Sequence, residues 1–206
     1  MMRSFYVLLA MAAAAPVRAD SEGIEHARYS VASSAGEFEI RDYAPQIVAE
    51  TLVSGSRETA AREGFRRIAG YIFGANRPSR KIEMTVPVEQ QKGETIAMTA
   101  PVIEERTGGS WTVRFVMPAS YTLATLPQPD DSSVRLATVP GKRMAAVRFS
   151  GLVDDADLET QKARLLDFVA EQGLAARGEP TYAFYDPPWT LPFDRRNEVL
   201  VEIGRK

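Results

Sequence analysis

An internal repeat that spans most of the chain constrains the fold more than any other sequence feature. The apolar face of one predicted helix recurs 97 residues later in a second; the matched pairs are Ala61 and Leu158, Ile68 and Leu165, Ala69 and Leu166, and Ile72 and Val169. Upstream turn residues match at slightly smaller offsets, since Pro45 recurs as Pro140 and Gly55 as Gly151. A slowly growing offset is typical of a diverged duplication. We predict pseudo-repeats over about residues 29–120 and 134–203.

Each half has the pattern of two strands, a helix and further strands. Phe38–Tyr43 alternates apolar and polar residues, and Ile47–Val53 is rich in β-branched residues. A helix is predicted from about Arg57 to Phe73, with Ser56 as its N-cap. Its predicted apolar face consists of Ala61, Phe65, Ile68, Ala69 and Ile72. The other predicted elements are strands 111–117, 134–139, 144–149, 181–185 and 198–203 and a helix over about 156–172. Two such β-β-α-β units predict an α+β protein, a distorted antiparallel β-barrel flanked by two helices.

The motif Met-Thr-x-Pro-Val occurs twice, at residues 84–88 and 98–102, on either side of a polar link at 90–94. This arrangement predicts a β-hairpin. Because proline cannot donate a hydrogen bond to a sheet, Pro87 and Pro101 are expected at bulges, edges or strand ends. Met, Thr, Val and Pro provide no strong acid, base or nucleophile, so we expect the motif to shape the sheet.

The first residues are typical of a secretory signal. Arg3 precedes the apolar run Phe5–Ala15, and Val17-Arg18-Ala19 suits a signal peptidase, so cleavage is expected after Ala19. The run is shorter than the roughly 20 residues that span a bilayer, so we expect no membrane span after cleavage. An uncleaved interfacial anchor is the alternative. The signal predicts a periplasmic or secreted protein, with an N-terminal arm over 20–28 and one domain over 29–206.

Composition excludes several kinds of site. The chain has no cysteine and a single histidine, His26. Thiol catalysis, zinc–thiolate sites, iron–sulfur clusters and any site that needs two histidines are therefore excluded. The formal net charge is −2 and no basic stripe is visible, so we expect no nucleic-acid partner. We predict no catalytic residue and no protein metal site, and we expect a monomer.

The C-terminal region carries a second distinctive set of motifs: Tyr-Asp-Pro-Pro-Trp at 185–189, Pro192, and Arg-Arg-Asn-Glu-Val at 195–199. With the repeated Met-Thr-x-Pro-Val, Phe-Val-Met-Pro at 115–118 and Phe-Ser-Gly at 149–151, these motifs resemble the SOUL heme-binding protein family. The resemblance extends from about residue 29 to 203 and is that of an exported bacterial member. It implies a duplicated barrel with two helices, and binding of heme or a related tetrapyrrole between the first helix and the loop 186–196.

A heme site needs an apolar slot, basic residues at its rim and usually an axial ligand. The first helix and the loop contain suitable side chains; the predicted cofactor-binding residues are Arg62, Phe65, Arg66, Ala69, Phe73, Trp189, Leu191 and Arg195. Arginines can bind the heme carboxylates bidentately, while the apolar side chains line the slot. The alternative is a solvated arginine face and a loop that only caps the barrel.

The chain departs from the family pattern at two basic positions. Arg62 matches the first basic position of the family, but two further positions proposed to meet the propionates are Gly70 and Thr190 here. Arg66 or Arg195 could compensate. His26 is the obvious axial ligand by residue type, yet it lies before the first repeat. We interpret it as an ordinary histidine on a mobile N-terminal arm, which leaves apolar contact or a weak Tyr or Met ligand to hold a heme.

The predicted function is non-catalytic binding of heme or another flat apolar ligand, as a carrier, a buffer or a means of sequestration. One alternative is a small hydrolase-like enzyme in which Glu83 or Glu50 is the base and Tyr185 donates a hydrogen bond. The other is an envelope interaction module without a small ligand. An apolar surface patch large enough for a partner would favour that last interpretation.

Overall fold

The computed structural model describes residues 24–78 and 93–205. Its helices are α1 (Arg57–Ile72) and α2 (Asp155–Glu171), and a 3₁₀ turn covers Pro192–Asp194. The strands are β1 (Glu25–His26), β2 (Tyr29–Ala35), β3 (Phe38–Tyr43), β4 (Gln46–Ser54), β5 (Asn76–Arg77), β6 (Thr99–Ala100), β7 (Val102–Thr107), β8 (Ser110–Val116), β9 (Gln128–Pro129), β10 (Val134–Val139), β11 (Arg143–Phe149), β12 (Leu174–Phe184) and β13 (Asn197–Arg205). Neither helix is long and apolar enough to cross a membrane.

Nine strands form one antiparallel sheet in the order β10-β4-β8-β7-β12-β13-β11-β3-β2. Apart from β2, the order is pseudo-symmetric about the β7–β12 pair, because β10, β4, β8 and β7 correspond to β3, β11, β13 and β12. The halves also exchange strands: β3 pairs with β11, and β10 pairs with β4. The α+β class is therefore confirmed, with two related halves of the form β-β-α-β-β.

The predicted barrel is a distorted sheet that stays open. Across the described residues its hydrogen-bonded ladder ends at β10 on one side and at β2 on the other. Two short pairs lie outside this sheet: β1 runs parallel to β6, and β5 runs antiparallel to β9. The edge strands therefore do not meet, and the faces of the sheet remain distinct surfaces.

Helix α1 begins as predicted, because the Ser56 side chain accepts a hydrogen bond from the Thr59 backbone N–H. Its buried face differs from the prediction. Phe65 is 42% exposed, whereas Gly64 is buried against the sheet. A Cβ at Gly64 would lie 2.5 Å from Val113 Cγ2, so the glycine is what allows the helix to approach β8 this closely.

Helix α2 packs as the repeat predicts, with one change. Leu158, Leu165 and Val169 are buried, but Phe168 replaces Leu166 in the buried stripe. The buried positions shared by both helices at the offset of 97 are Ile68 and Leu165, Tyr71 and Phe168, and Ile72 and Val169. The two halves thus bury equivalent positions on the sheet.

The two helices cover the same face of the sheet. Phe115 of β8 belongs to the core cluster beneath α1, and Val199 of β13 to the cluster beneath α2. Strand register across β8, β7, β12 and β13 places these residues on one side. We call this side the helix face. The opposite side, the helix-free face, carries a third cluster of Ala146, Ala183 and Leu200 with Tyr43, Met144 and Tyr185 packed on it.

Only the second Met-Thr-x-Pro-Val copy lies within the described residues. It spans β6 and the start of β7, and the cis Ala100–Pro101 peptide bond joins the two strands. Pro101 therefore lies at a strand end, as predicted. Strand β7 pairs with β8 and β12, and β6 pairs with β1. The first copy, and with it the predicted hairpin between the copies, lies outside the described residues.

Candidate functional site

The arginine face of α1 is accessible, but not every predicted residue contributes to it. Arg62, Arg66 and Phe73 are exposed. Ala69, predicted to line the slot, is only 9% exposed and packs inward, so it adds little to the accessible surface of this face. Within the described chain no hydrogen bond or ion pair is recorded for the Arg62 side chain, whereas Arg66 binds Glu63 at 2.6 Å. Arg62 is thus the more available cation.

The loop 186–196 presents large apolar side chains to solvent. Trp189 is 84% exposed, and Leu191 and Phe193 are also exposed. Leu152, in the connection from β11 to α2, is exposed as well. Exposed apolar side chains that share one short loop are unusual on a monomer and indicate a ligand or partner surface.

The loop has a defined shape because Arg195 holds its backbone. Arg195 Nε donates to Thr190 O at 2.9 Å, and Nη2 donates to Pro188 O. Gly151 N donates to Pro192 O at 2.8 Å, which ties the loop to the connection before α2. Arg195 therefore supports the Trp189 loop from within. That Arg195 also contacts the ligand stays a prediction.

The two predicted halves of the site flank a common apolar floor. Phe65 lies over Phe115, with ring centroids 5.4 Å apart. In the sheet register Phe115 is followed by Val102 and then Phe184, and the loop begins directly after Phe184. With strands about 4.8 Å apart, roughly 10 Å separates Phe115 from Phe184. The half-buried Val102 and Phe184, which sequence reasoning missed, form the floor between helix and loop.

A basic residue lies above this floor. Arg57, at the start of α1, has its guanidinium 5.9 Å from the centre of the Phe184 ring. It also binds Glu104 at 3.1 Å and Asp155, at the start of α2, at 2.6 Å. Burial raises the pKa of the Glu104 carboxyl, although Arg57 opposes that shift. Arg57 thus links the two helices and compensates the buried carboxyl.

The helix-free face holds a buried ionic cluster. Arg41 donates to Glu198 through Nη1 at 2.6 Å and Nη2 at 2.9 Å, and both side chains are almost fully buried. Arg196 and the Tyr185 hydroxyl also donate to Glu198, at 2.8 and 2.9 Å. Arg41 Nη1 further donates to the Tyr43 hydroxyl at 3.1 Å. Every oxygen of this carboxylate is engaged, so the cluster joins strands and leaves no free acceptor.

The enzyme alternative gains little from these carboxyls. Glu83 lies outside the described residues, and Glu50 is paired with Arg114 and Arg135. Tyr185 does donate to a buried glutamate, but that residue is Glu198. Burial favours its neutral form, but Arg41 and then Arg196 outweigh burial and hold the pKa of Glu198 below its ordinary value. A carboxylate this strongly paired is a weak general base.

His26 is not on a free arm, contrary to the sequence interpretation. It lies in β1, which pairs with β6. Its ring centroid is 5.7 Å from that of Tyr185, so it belongs to the helix-free side of the sheet. The local sequence carries no signal for this, because a two-residue strand is defined by its partner. The described part of the chain has no cluster of three or more His, Cys, Asp or Glu side chains suited to a metal ion.

Two pockets lie beside His26 and Tyr185. The first, about 150 Å³, extends across β7 and β12. The second, about 430 Å³, is lined in part by His26, Met117 and Tyr121. Both include Ala27 and Gln46 in their walls, so they adjoin each other. Sequence reasoning missed these pockets because they arise where strands from both halves meet.

Comparison with known proteins identifies a family. The family model described as SOUL heme-binding protein matches residues 24–202. Heme-binding protein 2 from Mus musculus is 26% identical over 166 residues, which cover 80% of this chain and 77% of that protein. Heme-binding protein 1 from Mus musculus is 29% identical over 143 residues, 69% of this chain and 70% of that protein.

Solved structures share the fold at low sequence identity. The C-terminal domain of EcmrR has a TM-score of 0.56 and 12% identity, covering 82% of this chain and 98% of that one. A hydrolase from Listeria innocua has a TM-score of 0.53 and 14% identity, covering 84% and 94%. At such identities the likeness concerns the fold alone.

Proposed function

The chain belongs to the SOUL heme-binding protein family, and on this premise we propose that it binds heme or a related tetrapyrrole without catalysing a reaction. The family match and the similarity to the two heme-binding proteins support the ligand class. One structural observation carries the proposal for this chain: the braced loop with the exposed Trp189 follows Phe184 at one end of an apolar floor, and α1 with its exposed arginines packs on Phe115 at the other end. A flat apolar ligand with carboxylates on one edge matches both features.

Heme would contribute an apolar ring, two propionates and an iron. We propose that Val102 and Phe184 support the ring edge, and that Phe65 and Trp189 contact its faces. Arg62 is free to bind a propionate, while Arg66 can do so only by sharing or leaving its exposed ion pair with Glu63. Exposed ion pairs of this kind are weak, so the exchange costs little. The remaining predicted contacts, Phe73 and Leu191 among them, widen the apolar surface.

The proposal includes a location and a role. The signal-like residues 1–19 predict export, and we propose a periplasmic carrier, buffer or sequestering protein that works as a monomer. A non-catalytic role agrees with the carboxyls described above, since the buried Glu198 is fully paired. The loop's exposed apolar side chains would then be the docking surface for the ligand.

The test is a hemin titration of residues 20–206. We expect saturable Soret changes and quenching of Trp189, measured in a Trp111→Phe background that leaves one tryptophan. Arg62→Glu should weaken binding roughly tenfold, because it replaces a charge-assisted hydrogen bond with repulsion. Arg164→Glu makes the same charge change on the exposed side of α2, with the loss of an exposed ion pair to Glu37, and should bind hemin as the parent does.

Two outcomes would count against this proposal. The absence of a saturable signal at micromolar hemin would remove heme binding and leave the exposed loop as a protein docking surface. Equal weakening by Arg62→Glu and Arg164→Glu would remove the assigned site, since general charge would then explain the effect.

A further inference from the structure

The pocket of about 150 Å³ lies where the two halves of the molecule meet. Ile103 of β7 and Thr181 and Ala183 of β12 line it, and these strands form the central pair of the pseudo-symmetric sheet. Residues from both halves complete the wall. The pocket opens on the helix-free face, so the sheet separates it from the proposed heme slot on the helix face.

One wall residue has an unmet hydrogen-bonding capacity. Gln46 Oε1 is buried, and among the described residues no donor reaches it. Gln46 lines this pocket and also the larger one beside it. A buried carbonyl oxygen without a partner costs free energy, and a ligand that donates a hydrogen bond would remove that cost. The unpaired Gln46 oxygen therefore favours a ligand that carries a hydrogen-bond donor.

The rest of the wall favours a ligand that is uncharged and largely apolar. Ile103, Met144 and Leu200 are apolar, and Tyr43 and Tyr185 add aromatic surface. The charged lining residues balance, with Arg114, Lys142 and Arg177 against Glu105, Glu179 and Glu202. Arg114 binds Glu105, and Lys142 binds Glu202 at 2.6 Å. A charged ligand would find no excess of opposite charge here.

The volume sets the size of the occupant. A cavity of about 150 Å³ accommodates one benzene-sized molecule. The adjoining pocket of about 430 Å³ shares Ala27 and Gln46 with this one, so a substituent on the ligand would lie next to it. We propose that this pocket is a second ligand site, for an uncharged aromatic molecule that donates one N–H or O–H hydrogen bond to Gln46 Oε1. Indoles and phenols have this chemistry. The proposal does not depend on heme binding.

Indole and 1-methylindole provide the test, because 1-methylindole carries a methyl group in place of the N–H donor of indole. Titration of residues 20–206, followed by NMR shifts, should show indole binding about fivefold to tenfold more tightly than 1-methylindole. Gln46→Met keeps the side-chain size but removes the acceptor, and it should abolish this preference. Gln128→Met changes an exposed glutamine in β9 and should retain it. Thermal melts of each variant verify folding.

Other outcomes of these titrations would overturn the proposal. Equal affinity for the two probes in the unmodified protein, or a preference that survives Gln46→Met, would overturn the role of Gln46. No saturable indole binding up to millimolar concentration would overturn the site itself. Arg62→Glu should leave indole affinity unchanged and bound indole should not displace hemin, so failure here is distinguishable from failure of the heme proposal.

Discussion

At the scale of single residues, the two glycines of α1 differ in the space available for a side chain. Gly64 contacts β8 so closely that any side chain would collide with Val113. A Cβ at Gly70, six residues on, would have no neighbouring atom within 4 Å, and Gly70 follows Arg62 and Arg66 at helical spacing. Gly70 can therefore accept a long side chain, and the resemblance of the sequence to the family implies a basic residue at this position.

We expect Gly70→Lys to tighten hemin binding about twofold to fivefold, since an exposed ion pair contributes up to about 1 kcal/mol. Gly70→Ala is the matched control, because it makes the same backbone change without adding charge. Both variants should gain about 0.5–1 kcal/mol of stability in urea unfolding, as glycine is a poor helix former. Hemin affinity that rises equally in both would show that the lysine charge has no part in binding.

At the scale of elements, the Arg195 side chain braces the part of the loop that carries Trp189. Arg195 bridges the Thr190 and Pro188 carbonyls. We expect Arg195→Ala to release the loop and shorten the rotational correlation time of Trp189, measured by fluorescence anisotropy in the Trp111→Phe background. Because a flexible loop must be ordered on binding, hemin affinity should fall as well. Unchanged anisotropy would mean that the other hydrogen bonds of the loop, such as Gly151–Pro192 and Arg196–Asp186, are sufficient to hold it.

Local sequence patterns predicted the helices and strands better than they predicted which elements pair or pack together. Strand β3, the start of α1 and the N-cap Ser56 follow from local patterns, and the structure confirms them. The hydrophobic pattern places Phe65 on the buried stripe of α1 and gives no weight to Gly64. Gly64 is buried because it has no side chain to collide with β8. Strand β1 and the orphan oxygen of Gln46 are products of long-range pairing, for which one sequence contains no signal.

At the scale of the whole molecule, ion pairs join the two halves, and the strongest of them is buried. Arg41 belongs to the first repeat and Glu198 to the second, and their bidentate contact crosses from β3 to β13 through the intervening β11. Arg57 and Asp155 make a second link between the helices. Removing one partner of a buried pair leaves the other charge uncompensated, at a cost of about 3–5 kcal/mol. The halves should consequently unfold as one unit.

Acid titration tests this link, because Glu198 is ionised only with the help of its partners. Its pKa is lower in the folded protein than the ordinary 4.5: burial alone would raise it, but Arg41 and then Arg196 prevail. The carboxylate thus stabilises the fold at every pH above about 4.5, and the contribution is lost as pH falls through the lower folded-state value.

In urea unfolding from pH 7 to pH 3, Glu198→Gln should be less stable at pH 7 by about 3 kcal/mol and lose less stability on acidification. Glu159→Gln, at an exposed site on α2, should keep the slope of the unmodified protein. If Glu198→Gln also kept that slope, the link between the halves would not depend on the Glu198 charge.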